Sequence, residues 1–358
     1  MWKSLKDRAE GVKEMKRMKT TEAVGQVLCH DITQIIPGVT KDAVFRKGHI
    51  IREEDIPVLL SVGKDSVYIW ENDETMMHEN DAAEVLYRMT ANEHMHPSDV
   101  KEGKIEAIAD TEGLLKVDRE KLKKVNAFGE MMIATRHGNT VVKKGDKLAG
   151  TRIIPLVIKK DKMQEAEKIC DGTPILKILP FTVKKAAIIT TGNEVYHGRI
   201  KDAFTPVIEQ KIAEFGAEMM FHEIFDDNDR KITDGCLRAI EAGADIVFCT
   251  GGMSVDPDDK TPLAIKNTGA EMISYGSPVL PGAMFLLSYY QKGDKVIPIC
   301  GLPGCAMYNR RTIFDLVLPR LMAADPVTAD ELASLGEGGL CLNCKVCTFP
   351  NCGFGKGW

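Results

Sequence analysis

The chain has 358 residues, 44% hydrophobic and 28% charged, with a formal net charge of -5. At roughly 100–200 residues per domain, this length predicts two or three domains with sizeable cores, and the composition excludes wholesale disorder. The acidic balance argues against a chain-wide nucleic-acid surface, and no apolar run approaches the roughly 18 residues of a membrane helix.

Residues 1–20 place Leu5, Ala9, Val12 and Met15 at helical spacing among lysines and arginines. This fits a solvated extension, with a membrane-surface helix as the other reading. No apolar signal-peptide core interrupts these charges, so a cytoplasmic protein is expected. Residues 21–185 form a mixed α+β region of uncertain role. It opens with a strand and turn at "VFRKGHII", a helix at "REEDIPVLLSVG" closed by Gly63, and a strand at "DSVYIW". A helix over Asp81–Ala91, a β-rich stretch "NTVVKKGDKLAGTRIIPLVI" and a helix over Met163–Ile169 follow. His78, His94 and His96 lack compact ligand spacing and are expected as exposed loop residues.

From Lys185 the pattern becomes regular. "AAIITTG", "EMMFHEIF", "DIVFCTGG" and "KVIPICGLPG" are strands, and "FTPVIEQKIAEFG", "ITDGCLRAIEAG", "TPLAIKNTG" and "AMYNRRTIFDLVLPRLMA" are helices. Such alternation predicts βαβ units and a parallel sheet with helices on both faces. The fold class expected for residues 186–324 is therefore α/β, in three α/β/α layers. Residues 325–340 suggest a linker, and residues 341–358 a cysteine-rich tail.

Three strands run directly into glycine-bearing loops: Thr191-Gly192-Asn193-Glu194, Thr250-Gly251-Gly252-Met253-Ser254 and Gly301-Leu302-Pro303-Gly304. In open α/β sheets ligands bind at the carboxyl ends of strands, and glycine lets the backbone approach them. These loops suit a phosphorylated small molecule. Glu194, Asp202, Asp226, Asp227, Asp256, Asp258 and Asp259 gather in the same regions, as carboxylates do for Mg²⁺ beside phosphate. Asp227 and Asp259 equally suit helix caps. The chain holds no G-x-x-x-x-G-K-[ST] phosphate loop, no G-x-G-x-x-G and no G-x-S-x-G, which leaves standard NTPases, dinucleotide dehydrogenases and α/β-hydrolases without a motif.

These motifs together resemble the molybdopterin-binding domain of molybdenum cofactor biosynthesis, and most of all that of molybdopterin molybdenumtransferases. "TTGNEV" (190–195) is similar to the family's T-G-D/N-E motif, "GRIKDAF" (198–204) to G-x-I-x-D-S-N, and "FDDN" (225–228) to its Asp-Asp loop. "TGGMSVDPDDKTP" (250–262) resembles T-G-G-x-S-x-x-x-x-D-x-T and places Asp259 and Thr261 on the family's Asp and Thr. "LPGAMF" (280–285) keeps Pro281 and Gly282 of K-P-G-K-P without its lysines, and "GLPGCA" (301–306) is similar to G-L-P-G-N-P. Residues 43–70 resemble the stretch that precedes this domain in molybdenumtransferases, but the family's N-terminal S-A-M-D-G-Y-A segment is absent.

The resemblance implies binding of molybdopterin or its adenylylated form, with Mg²⁺ and molybdate. Asp259 and Glu194 would be catalytic. Thr191, Gly192, Asp202, Asp227, Thr250, Gly251, Gly252, Ser254, Thr261, Pro281, Gly282, Gly301, Leu302, Pro303 and Gly304 would contact the substrate. A molybdenumtransferase-like enzyme is expected, with a non-catalytic carrier, storage or sensor protein for the cofactor as the alternative. The family's members dimerise or trimerise, so a homo-oligomer is also implied.

Ten cysteines remain. Six are scattered, as small buried hydrophobes are. Of these, Cys305 stands at an expected helix start, where it is either a packing residue or a reactive thiolate. The tail has Cys341-x2-Cys344-x2-Cys347-x4-Cys352. Four soft ligands so close together predict a metal, and the successive x2 spacing favours an iron–sulfur cluster over Zn²⁺.

Overall fold

The computed structural model describes residues 16–36, 40–69 and 74–357. The helical spacing read over residues 5–15, and Trp70 at the end of the expected strand "DSVYIW", lie outside them. Residues 16–69 build a small unit. Strand Arg17–Lys19 pairs antiparallel with Ser66–Tyr68, Ile32–Ile36 pairs with Thr40–Phe45, and Leu28, Ile32, Ile51, Leu59, Val67 and Ile69 form their own core. Gly63 adopts φ +77 just past Val62, which caps helix Ile56–Ser61, as the closing glycine should.

Residues 76–179 form a second core between helices Glu79–Thr90, Arg119–Ala127 and Lys160–Cys170 and antiparallel sheets of two, three and four strands. The helix Arg119–Ala127 carries only one fully buried side chain, Val125, so its apolar stripe is too thin to stand out in the sequence. His78 is corrected here. It is buried, its Nε2 lies 2.6 Å from the Cys29 carbonyl, and its Nδ1 accepts the Asn80 N–H as the helix cap. His96 is exposed and paired with Asp110 at 2.6 Å.

The third unit holds the regular elements: β1 (Lys185–Thr191), α1 (Asn193–Tyr196), α2 (Phe204–Ala213), β2 (Glu218–Phe225), α3 (Asp229–Glu241), β3 (Ile246–Thr250), α4 (Thr261–Asn267), β4 (Glu271–Tyr275), β5 (Leu286–Lys292), β6 (Lys295–Leu302), α5 (Ile313–Met322) and α6 (Ala329–Ser334). The six strands lie in the order β2-β1-β3-β6-β5-β4. Alternate residues serve opposite faces. Ala186, Ile188, Ile246 and Phe248 meet α2 and α5, while Ala187, Ile189, Val247 and Cys249 meet α3 and α4. The three-layer α/β/α fold is confirmed.

Two details differ from expectation. The sheet is mixed rather than parallel, because β5 pairs antiparallel with β6 and β4 antiparallel with β5. The long helix expected from Ala306 is also broken. A 3₁₀ turn spans Gly304–Ala306, and α5 starts afresh at Thr312, whose hydroxyl accepts the Phe314 N–H while Asp315 accepts the Thr312 N–H at 2.8 Å. The stretch expected as a linker carries α6, and Val327 and Leu332 belong to the core shared with α5. Among the described residues no helix is long and apolar enough to cross a membrane.

Candidate functional site

The carboxyl ends of β1 and β3 are neighbours, and the chain leaves β1 toward β2 but returns past it to β3. This is the switch point at which open α/β sheets leave room for a ligand. Residue pairing puts Thr190 opposite Thr250. Thr191 and Thr261 share a hydrogen bond at 3.0 Å, and Thr261 also donates to the Gly251 carbonyl at 2.8 Å. These two threonines tie the first loop to the second.

Gly251 and Gly252 have φ of +82 and +53. A Cβ on Gly251 would collide with the Thr191 carbonyl, and one on Gly252 would press on both threonine hydroxyls. Glycine is thus required by left-handed backbone and by close approach together. Met253 lies under the loop against Gly301, and Tyr275 on β4 donates to the carbonyls of Met253 and Ser254 at 3.0 and 3.3 Å. The second loop is therefore braced from strand β4, which the sequence reading left out.

The expected carboxylates divide into two sets. The charges of Glu194, Asp258 and Asp259 all reach Asp227. Burial pushes the Asp227 carboxyl above the usual carboxylate range, and the charges of Glu194, Asp258 and Asp259 add to the effect, against one opposing hydrogen bond from the Asn193 N–H. Asp202 belongs to another group. It accepts from Thr190 at 3.0 Å, from the Thr205 hydroxyl at 2.6 Å and from the N–H groups of Phe204 and Thr205, and His222 Nε2 lies 3.5 Å away. Burial opposes its ionisation, but these donors hold its carboxyl below the usual range.

Neither Asp227 nor Asp259 caps its following helix. Asn228 caps α3 by accepting from Arg230 and Lys231, and Asp259 accepts from Asp256 at 3.0 Å within its own loop. Ser254 is exposed, whereas Leu302 is fully buried and so acts as core. Gly282 packs against Ile313, whose N–H donates to the Pro281 carbonyl at 3.1 Å, so that segment leans on the start of α5. The Thr250 hydroxyl is buried with no hydrogen-bond partner, at the end of β3 between the two tied loops. A polar atom in that condition fits a ligand that supplies the missing partner.

Thr205, His222 and Tyr275 were not singled out by sequence. Of these, His222 alone left a signal, as a single polar ring in the apolar strand "EMMFHEIF". Cys305 is half-buried in the 3₁₀ turn and not at an α-helix start, and burial raises its thiol pKa, so it is a packing residue. Among the described residues no three His, Cys, Asp or Glu side chains are gathered to hold a metal ion unaided. This holds for Cys341, Cys344, Cys347 and Cys352 as well as for the acidic loops.

Known proteins resemble parts of this chain. Residues 17–71 match a family described only as a domain of unknown function. A "Putative competence-damage inducible protein" from Bacillus cereus (strain B4264) is 30% identical over 129 residues, covering 36% of this chain and 30% of that protein. One of the same name from Bacillus velezensis is 32% identical over 85 residues, covering 24% of this chain and 20% of that protein. The chain thus spans less than a third of these relatives. The tungsten cofactor synthesizing protein MoaB from Pyrococcus furiosus aligns with 40% of this chain and 98% of its own, at 17% identity and a TM-score of 0.34. The family model described as the probable molybdopterin binding domain matches residues 187–323, so this part of the chain is similar to that family.

Proposed function

We propose that residues 186–324 bind molybdopterin or its adenylylated form across the Thr191–Glu194, Thr250–Asp259 and Gly301–Gly304 loops, and that the chain acts as a molybdenumtransferase-like enzyme on it. The observation that carries the reading is the convergence of three loops at the ends of β1, β2 and β3, where Asp227 accepts the Asn193 N–H, Thr191 meets Thr261, and Gly251 and Gly252 leave room only for backbone. Thr191 and Thr261 hold the loops together, and Thr250 and Ser254 offer hydroxyls to the pterin or its phosphate. Asp202, fixed as an anion by its four donors, orients the entry to α2 and a polar edge of the ligand.

Mg²⁺ suits this donor set, because it is commonly held by one or two carboxylates with substrate oxygens completing the shell. Asp259 and Glu194 are the residues assigned to it, and the ion would supply charge neutralisation at the phosphate. Molybdate is the second substrate. No part of this scheme needs the iron–sulfur or zinc centre read from the tail cysteines.

A carrier or sensor of the finished cofactor is the second reading. It is favoured by Leu280 and Ala283, which stand where the family has lysines, since an ammonium is a strong point charge for an oxyanion. The test is retention of molybdopterin through gel filtration, read as fluorescence of the oxidised pterin, followed by molybdate- and Mg²⁺-dependent turnover. An enzyme retains pterin and turns over, with Asp259→Ala lowering turnover at least about 100-fold, the low end of the effect of a single charge-stabilising group. A carrier retains pterin without turnover. Folded protein that retains none would leave the motifs as fold alone.

A further inference from the structure

Cys341, Cys344, Cys347 and Cys352 all line one cavity of about 610 Å³, together with Tyr308, Arg310 and Arg311 from the segment before α5. No family model covers these cysteines. Their sulfurs are unequal. Cys341 and Cys352 are half-buried and pack against the core under α5, whereas Cys344 and Cys347 are exposed on the irregular stretch between them.

The stretch is pinned at its ends. Leu280 donates to the Gly339 carbonyl at 2.9 Å and accepts from Cys341 at 2.8 Å, while Asn351 donates to Thr348 at 2.7 Å and Gly355 to Gly338 at 3.0 Å. Between these points Arg310 donates to the Lys345 carbonyl at 3.1 Å. Around the cavity Tyr308, Leu340 and Leu342 are 83%, 62% and 78% exposed. Three large apolar side chains left in water around one opening form a surface that gains by closing.

Charge points the same way. Four thiolates around a dication leave a net charge of about −2, and structural thiolate sites need that charge answered nearby. Arg310, Arg311 and Lys345 all face this cavity. Arg311 lies over the Phe349 ring, 4.8 Å from its centre.

We propose that Cys341, Cys344, Cys347 and Cys352 hold one thiophilic metal centre, zinc or iron–sulfur, formed when residues 342–348 swing the two exposed sulfurs onto the two anchored ones. Each thiol gives its proton to solvent as it ligates, and no sulfur is oxidised. Closure would bury Leu342 and stiffen the Leu280–Cys341 clip. The inference is independent of the pterin reading, because it uses none of the loop residues.

Protein isolated without oxygen is analysed for zinc, iron and acid-labile sulfide, then stripped with chelator and titrated with Zn²⁺, wild type beside Cys344→Ser/Cys347→Ser. Both substituted side chains are exposed, so folding is preserved, which a matching unfolding curve of the stripped proteins checks. One zinc per chain, or iron with equimolar sulfide, lost in the variant, supports the site and tells the two centres apart. Stripped wild type that takes up no zinc, after isolation with neither metal, overturns it, and so does equal metal in the variant. Hydrogen exchange at the Leu280 and Cys341 amides should slow at least several-fold on loading, and unchanged rates would overturn the closure.

Discussion

The carboxylate of Asp227 accepts the backbone N–H of Asn193 at 3.1 Å, joining the loop after β2 to the loop after β1. The bond opposes burial and three neighbouring carboxylates, which together raise the pKa of this acid. A raised folded-state pKa means that ionising Asp227 costs stability. The protein is favoured below the unfolded carboxylate range, and that advantage is lost as pH rises through the folded pKa. Asp227→Asn keeps an acceptor for Asn193 and removes the charge. Its Tm at pH 7 should therefore exceed wild type, with the gap closing below about pH 4, where wild-type Asp227 is also neutral. A variant less stable than wild type at pH 7 would refute the charge argument.

Gly251→Ala should be harmful twice over. The left-handed backbone costs an ordinary residue about 1–2 kcal/mol, and the added methyl meets the Thr191 carbonyl. Urea unfolding should show a loss above that range, together with loss of pterin retention. The same change at Gly243, with φ +102 and open space around it, tests the backbone cost alone.

Thr250→Val replaces an unpartnered buried hydroxyl with a methyl of similar size. An unsatisfied buried polar group costs about 1–3 kcal/mol, so ligand-free Thr250→Val should be at least as stable as wild type. If the hydroxyl serves the ligand, the same variant should bind pterin about tenfold more weakly, the factor that one hydrogen bond of about 1.4 kcal/mol supplies. Equal affinity in thermal-shift titrations would remove Thr250 from the site.

Asp315 is buried, caps α5 through the Thr312 N–H, and pairs with Lys211 and with Arg311 at 2.8 Å. Removing one partner of a buried ion pair leaves the other charge without compensation. Asp315→Ala should thus cost about 3–5 kcal/mol in urea unfolding. A loss below 1 kcal/mol would show that Lys211 finds water instead.

What the sequence disclosed follows from what is local. The apolar runs of β1, β3 and β6 and the glycines at their ends are visible because a strand buried on both faces must be apolar throughout. The antiparallel pair β5 and β6 also left a trace, the Gly293-Asp294 turn between Lys292 and Lys295. That trace was outweighed by the helix–strand rhythm around it. Thr312-x-x-Asp315 likewise announces a new helix start inside what otherwise looks like one helix. Tyr275 and Thr205 could not be found this way. Their roles depend on partners 3 to 22 positions distant whose approach only the folded sheet decides. The four-cysteine spacing, for its part, identifies ligands without fixing where the sulfurs rest.

The parallel bridge between Leu280 and Leu340 has a bearing on how this protein is cut and fused. Phe354, Val327 and Leu332 fill the same core as Phe314 and Leu318, although all three lie beyond the matched residues 187–323. An excised 187–323 fragment would expose that apolar face and orphan both backbone groups of Leu280 beside Pro281. The family match thus ends at residue 323, while the packed core runs on through Val327 and Leu332 to Phe354.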